Sequence, residues 1–345
     1  MWLGPNGGCA ETPAHPIVGT FACWGSNDAG QIGDGTTTAR PTATSLAFPF
    51  GKVTDLALGD KHSCGVFDEH VVACWGDGAR GQLGSRLVQS SSPVKLGEGT
   101  FAGQAVGVGG AHTCVRVGNA DQLSCFGADD EGQLGGGGGA FPVPSKDWSR
   151  GARIRSFALG SAHTCAAYDA SGASKEHVLC RGRAAAAPGE PLLGSVVVRE
   201  LAAGVEHTCA LIEDGTVRCW GRNDAGQLGD GTTSDTTTPV SVVELTSAVQ
   251  VAAGFRHTCA LLRNGTVACW GQNDRHQLAT GTTQNSSRPR LVVGIVGAKE
   301  LSLAGNGACV RLEGGYARCW GANDRGQLGD GSTVEHSVPM PIRFR

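Results

Sequence analysis

Residues 204–211 read Gly204-Val205-Glu206-His207-Thr208-Cys209-Ala210-Leu211. After a turn come Thr216-Val217-Arg218-Cys219-Trp220-Gly221, then Asn223-Asp224-Ala225-Gly226-Gln227-Leu228-Gly229-Asp230-Gly231-Thr232-Thr233. The phrase returns from Gly254 to Thr283 and, with a weaker start, from Gly305 to Thr333. Earlier copies begin at Gly59, Gly109 and Gly160, and a damaged first copy runs from Asn6 to Thr37. Self-similarity at a fixed period marks a repeat architecture, in which each unit buries its apolar face against the next. The cysteines fix the count. All 14 fall in successive pairs: Cys9 with Cys23, Cys64 with Cys74, Cys114 with Cys125, Cys165 with Cys180, Cys209 with Cys219, Cys259 with Cys269 and Cys309 with Cys319. The first members of units two to seven lie 50, 51, 44, 50 and 50 residues apart.

Within a unit the pattern is β. Runs such as Val249 to Ala253, Cys259 to Leu262 and Thr266 to Trp270 alternate small, apolar and polar residues between glycine turns. A Pro-x-x-Val run, as in Pro239-Val240-Ser241-Val242, supplies a fourth, edge-like strand where proline is tolerated. Four short strands repeated seven times fit a closed propeller, because radial closure leaves only short edges. One ring over residues 1–345 then accounts for the length without a second domain. The 55 glycines, with no collagen period, are what many tight turns require.

The 28 basic and 31 acidic side chains give a net charge of −3 and form no basic stripe, which argues against a nucleic-acid partner. No apolar run approaches the roughly 18 residues that span a bilayer as a helix. The start, Met1-Trp2-Leu3-Gly4-Pro5, shows no charged region followed by an apolar stretch, so no export signal is visible.

Between Cys259 and Cys269, Arg263-Asn264-Gly265 fits a three-residue hairpin loop with glycine in the left-handed position. That register sets Cys259 opposite Cys269 in a non-hydrogen-bonded pair, where side chains approach most closely. The same arithmetic serves Cys64 and Cys74, Cys209 and Cys219, and Cys309 and Cys319. Cys114 and Cys125 need one more loop residue, and Cys165 and Cys180 a longer insertion. Three readings compete. Cysteines can be small buried hydrophobes, zinc ligands or disulfides. Nine-residue spacing in separate units offers no convergent zinc site, and seven cross-strand disulfides are expected. They imply an oxidising compartment: extracellular, cell-surface or periplasmic.

Five histidines share one repeat position, His62, His112, His163, His207 and His257, while units one and seven carry Gly7 and Gly307 there. The expectation is a structural hydrogen bond to each histidine's own turn rather than catalysis. The Asn-Asp-x-Gly-Gln-Leu-Gly-Asp-Gly loops carry paired acids, such as Asp28 and Asp34 or Asp324 and Asp330; calcium is conceivable, but the spacing matches neither the EF-hand nor the RTX nonapeptide. Trp24, Trp75, Trp220, Trp270 and Trp320 each follow a cysteine and point to the opposite sheet face, for packing between units; Phe126 and Arg181 stand at that position in units three and four. No nucleophile elbow, phosphate loop, zinc-protease helix or dinucleotide fingerprint occurs, so no catalytic residue, cofactor or metal is expected.

The phrases Gly-x-x-His-Thr-Cys-Ala-Leu and Cys-Trp-Gly-x-Asn-Asp-x-Gly-Gln-Leu-Gly-Asp-Gly resemble the regulator of chromosome condensation repeat, in its bacterial, cysteine-bearing form. The resemblance implies a seven-bladed β-propeller, with Val338 to Ile342 (strand near 338–343) completing blade one. It also implies binding. The family's eukaryotic prototype is a guanine-nucleotide exchange factor on chromatin, and a bacterial relative is a secreted β-lactamase inhibitor. The leading expectation is a non-enzymatic, monomeric propeller that binds a protein partner. The alternative is a propeller hydrolase or lyase acting on carbohydrate or peptide, and exchange activity stands behind both.

Chain alternation puts the turns between paired cysteines on one face, and the Gly-x-x-His turns with the Gln-Leu-Gly loops on the other. The repeat breaks most clearly between Gly136 and Arg155 on that second face. There Phe141, Lys146, Trp148 and Arg150 are the candidate partner-binding residues, since Trp and Arg are the usual interface anchors. Alternatively, Trp148 covers blade four.

Overall fold

The computed structural model describes the chain apart from residues 12–19, 98–101, 119–121, 136–142, 145–147, 149–152, 170–175, 184–192, 194–195 and 343–345. Its strands form seven antiparallel sheets, the blades of a propeller. Six have four strands, and the fourth has three among the described residues: Ile154–Leu159, His163–Asp169 and Glu176–Gly182.

Blade six illustrates the rest. It runs Ala248–Ala253, His257–Leu262, Val267–Gly271 and Ser286–Leu291 from the ring axis outward. The second and third strands are buried almost throughout because each face packs on a neighbouring blade, whereas the outer strand is largely exposed. Small side chains at Ala252, Ala260 and Ala268 let blades approach. The hairpin closes as its sequence requires: Leu262 N donates to Thr266 O at 2.9 Å, and Gly265 takes φ +78°. Cys259 faces Cys269.

All seven cysteine pairs form disulfides, one in each blade, with Cα atoms 4.0–4.1 Å apart. In chain order they join Cys9 to Cys23, Cys64 to Cys74, Cys114 to Cys125, Cys165 to Cys180, Cys209 to Cys219, Cys259 to Cys269 and Cys309 to Cys319. Cys64 lies directly opposite Cys74 across the blade-two hairpin, as the register of the three-residue loop requires. Cys114 likewise lies opposite Cys125, so the extra residue between them leaves the pairing unshifted. All 14 cysteines are at most 2% exposed.

The core is seven small cores, each between two blades. Leu261 and Val267 of blade six pack with Leu301, Val310 and Trp320 of blade seven, for example. Trp24 and Ala22 of blade one meet Cys309, Cys319 and Leu328 of blade seven in the cluster that closes the ring. Closure differs from the expected strand exchange. The C-terminal strand His336–Pro341 pairs with Ala317–Gly321 inside blade seven, and blade one has its own inner strand, Trp2–Gly4, against Gly7–Glu11. The ring shuts instead through Trp24 Nε1 donating to Gln327 O at 2.8 Å, Gly331 N donating to Pro41 O at 3.1 Å, and a single bridge between Thr42 and Asp330.

Candidate functional site

The recurrent polar residues form the mortar between blades. His62 Nε2 lies 2.9 Å from Thr113 Oγ1 of the following blade, and that hydroxyl donates to Gln82 O at 2.9 Å. The threonine proton is thereby used, so His62 donates from Nε2 and is the neutral Nε2–H tautomer. The pattern repeats at His112–Thr164, His163–Thr208 and His207–Thr258, at 2.9–3.0 Å. The expected partner, each histidine's own turn, is corrected: the imidazole reaches the next blade. Complete burial pushes His62 and His163 down to about 4, and His112, His207 and His257 to about 3. They are structural and uncharged. A β-carbon on Gly109 would come within 2.2 Å of His112 Cε1, so glycine opens the phrase to seat the ring. His257 stands apart: blade seven carries Ala308 where threonine would be, and both its ring nitrogens lack partners among the described residues.

The tryptophans complete the joint. Trp75, Trp270 and Trp320 donate from Nε1 to Gln31 O, Gln227 O and Gln277 O of the preceding blade at 2.8–2.9 Å. Trp148, the expected anchor, is 1% exposed, and its Nε1 donates to Leu134 O at 2.9 Å. A β-carbon on Gly229 would meet Trp270 Nε1 at 2.7 Å, and one on Gly135 would meet Trp148 Nε1 at 2.8 Å. Trp148 therefore fills the interblade slot that blade four, with Arg181 in the sheet position, leaves vacant. A buried side chain cannot anchor a partner. Phe141, Lys146 and Arg150 lie outside the described residues.

The acidic loops are likewise committed. Asn273 Oδ1 accepts from Leu278 N at 2.9 Å while its Nδ2 donates to Thr282 O at 2.9 Å, which ties the loop to its own ends. Asp34 takes Arg40 at 2.7 Å and the Thr36 hydroxyl at 2.7 Å; Asp330 takes His336 at 2.5 Å. Among the described residues no three His, Cys, Asp or Glu side chains converge on a point.

Two carboxyls on the inner strands are shifted upward. Asp55, raised by burial, accepts from Val106 N at 2.9 Å, and Glu200, raised by burial to about 7, accepts from Val251 N at 3.0 Å. Both tie one inner strand to the next, as Gln250 does by accepting from Leu301 N and donating to Leu301 O, each at 2.8 Å. A neutral carboxyl can donate as Gln250 does; a carboxylate cannot. The cations near Glu200 are already paired, Arg199 with Glu213 at 3.5 Å and Lys299 with Glu313 at 3.7 Å. Because the folded pKa lies above the unfolded value, Glu200 costs stability as pH rises through the window from 4.5 to about 7. Glu200→Gln is expected to match wild type at pH 4 and to exceed it by about 3 kcal/mol at pH 8. Denaturant midpoints measured as the difference between the two proteins isolate this from the buried histidines, whose depressed values act in the opposite sense.

With the framework accounted for, one mouth is lined by turn residues that differ from blade to blade. A cavity of about 750 Å³ opens where the Gly-x-x-His turns ring the axis. Its wall is apolar, from Leu58, Val108, Leu159 and Leu303 of the inner strands. The turns are linked in series by backbone: Ser161 N donates to Val205 O at 3.1 Å, Val205 N to Phe255 O at 3.1 Å, and Phe255 N to Gly305 O at 2.7 Å. The rim is asymmetric. Blades five and six raise half-buried Val205 and Phe255; blades three and four present only Gly110, Ala111, Ser161 and Ala162; and behind these stands a charged ridge in which Arg80 binds Asp130 and Arg183 binds Glu131. Two-residue turn identities do not reveal such a mouth, because ring closure brings together turns some fifty residues apart.

Comparison with known proteins follows the architecture. The mitochondrial RCC1 domain-containing protein RUG3 of Arabidopsis thaliana is 27% identical over 250 residues, 66% of this chain and 56% of that protein. The human E3 ubiquitin-protein ligase HERC2 is 30% identical over 260 residues, 70% of this chain and 5% of that protein. The chain thus spans about half the length of the plant relative and a small part of the human one. In fold it is similar to human WBSCR16 (TM-score 0.80, 18% identity, 93% of each chain covered) and to Prp20p of Saccharomyces cerevisiae (TM-score 0.79, 19% identity, 95% of this chain and 86% of that one). The model of the RCC1-like domain matches residues 18–345, and the chain belongs to that family.

Proposed function

We propose that this protein is a non-enzymatic protein-binding propeller of an oxidising compartment, secreted or held at the cell surface, which engages its partner through the mouth ringed by the Gly-x-x-His turns. The observation that carries the reading is the distribution of side chains. Histidines and tryptophans hold blades together, loop acids tie their own loops, and turn residues that differ from blade to blade, apolar and charged, line one rim. A rigid ring with varied turns is a platform, and function on such folds lives in the loops. The carboxyls with raised pKa, Asp55 and Glu200, brace inner strands instead of gathering in the mouth, which gives the hydrolase alternative no cluster to build on. Seven buried disulfides favour export. Among the described residues no helix is long and apolar enough to cross a membrane. By analogy, Prp20p is described by its binding to Gsp1p and histones and as bound by Kap60.

The test is capture of partners from the native envelope and medium by wild type and by Ser161→Trp, which plants a bulky side chain on the small-residue stretch of the rim. Wild type is expected to retain a stoichiometric protein that Ser161→Trp loses at unchanged melting temperature. Equal capture by both would remove the mouth from the function.

A further inference from the structure

The mouth carries a sign as well as a shape. Its lining includes three carboxylates, Asp60, Asp130 and Glu131, and two guanidiniums, Arg80 and Arg183. Each guanidinium is paired with a carboxylate of the lining through one terminal nitrogen, Arg80 with Asp130 and Arg183 with Glu131, so these four charges offset one another. Asp60 is left without a cation in the lining; among the described residues its carboxylate accepts from the neutral amide of Asn6. Asp130 pairs with Arg80 through one oxygen and is 65% exposed, so its other oxygen faces solvent beside Asp60's blade, as the unpaired nitrogens of Arg80 do. Across the axis the charges cancel locally. Arg222 joins Glu206 at 2.7 Å and Asp224 at 2.6 Å, and Arg256 also binds Asp224. Within the lining three carboxylates face two guanidiniums, so the lining is negative by one charge, carried by Asp60 on blade two across from the apolar lip of Val205 and Phe255 on blades five and six; Lys61, next in the same turn, stands outside the lining.

Shape narrows the occupant further. At about 750 Å³ the well falls within the roughly 300–1,000 Å³ of sites that enclose a sizeable ligand. The low stretch of its rim on blades three and four has almost no side chains, which leaves room for a protruding group to enter. An apolar wall below a charged rim is the arrangement of an interface hot spot, with a buried anchor and polar surroundings.

Resting on the reading of this face as a protein-binding mouth, we infer that the occupant is a protruding loop of the partner that carries a bulky apolar side chain at its apex and a lysine or arginine beside it. The apolar side chain enters between Phe255, Val205 and Leu159, and the cation meets Asp60 and the outer oxygen of Asp130.

Three disulfide-cyclised fluorescent peptides test this, with apex sequences Lys-Phe-Lys, Glu-Phe-Glu and Lys-Ser-Lys, titrated by anisotropy against the full chain. Lys-Phe-Lys is expected to bind at least tenfold more tightly than either of the others, with its affinity falling as salt rises. Phe255→Ala should weaken it at least fivefold. Asp60→Asn, which keeps the acceptor for Asn6, should cut the preference for Lys-Phe-Lys over Glu-Phe-Glu by at least threefold without changing the melting temperature. Equal binding of Lys-Phe-Lys and Glu-Phe-Glu, or no binding of any peptide, overturns the assignment of a basic loop. The wider reading is judged apart from this by Ser161→Trp: loss of partner capture alongside a flat peptide panel leaves the mouth as the docking face and removes only its proposed occupant.

Discussion

Replacing Trp148 with alanine is expected to lower stability by about 3–5 kcal/mol, the usual range for emptying a buried tryptophan site. The ring is 1% exposed and packs with Leu123, Leu134, Ile154 and Leu179 at the junction of blades three and four. Its removal takes away that packing and leaves the carbonyl of Leu134 without the indole donor it now has at 2.9 Å. Blade four cannot compensate, because Arg181 occupies the sheet position that holds tryptophan in blades two, five, six and seven. Equilibrium denaturation in guanidinium should give a lower midpoint, with cyclic-peptide binding unchanged per folded molecule. A loss below about 1 kcal/mol would mean that the slot is not filled as described.

Removing one disulfide is the second large effect. Cys259→Ala combined with Cys269→Ala should cost about 2–4 kcal/mol, since the bridge closes a loop of sequence separation 10. The matching double variant of Cys165 and Cys180, separation 15, should cost a few tenths of a kcal/mol more by chain entropy alone. Burial adds a kinetic expectation: the cysteines are at most 2% exposed, so reductant without denaturant should leave the bridges intact until a blade opens. Peptide mapping under non-reducing conditions should recover the seven within-blade pairs, including Cys64 with Cys74 and Cys114 with Cys125 from adjacent blades. Free thiols in the folded protein, or bridges between blades, would contradict this.

Some of this was legible in the sequence because it is local. The hairpin register that sets Cys259 opposite Cys269 follows from a three-residue loop with glycine at its left-handed position, and nothing distant can alter it. Tryptophan after cysteine points to the other sheet face by strand alternation alone. The histidine partner was not legible in one unit, since Thr113 lies a whole repeat beyond His62. Its signal is a pairing across units, histidine in one with threonine in the next, and Ala308 after His257 is the exception that makes it visible. Trp148 allowed two readings, anchor or cover for blade four, because it has no repeat position; the missing tryptophan at Arg181 is the signal for the second, which its burial supports. The C-terminal strand was assigned to blade one by the family resemblance, and Trp2-Leu3-Gly4 is too short to advertise the inner strand that blade one has instead. The mouth depends on curvature that only the closed ring supplies.

Photocrosslinking from two single positions tests the central claim most directly. A photoreactive residue in place of Ser161 sits on the exposed rim of the mouth; one in place of Tyr316, 75% exposed in the hairpin between Cys309 and Cys319, sits on the opposite face. In native cells, crosslinking to one protein partner is predicted from position 161 and not from position 316. Crosslinks confined to position 316 would contradict the account.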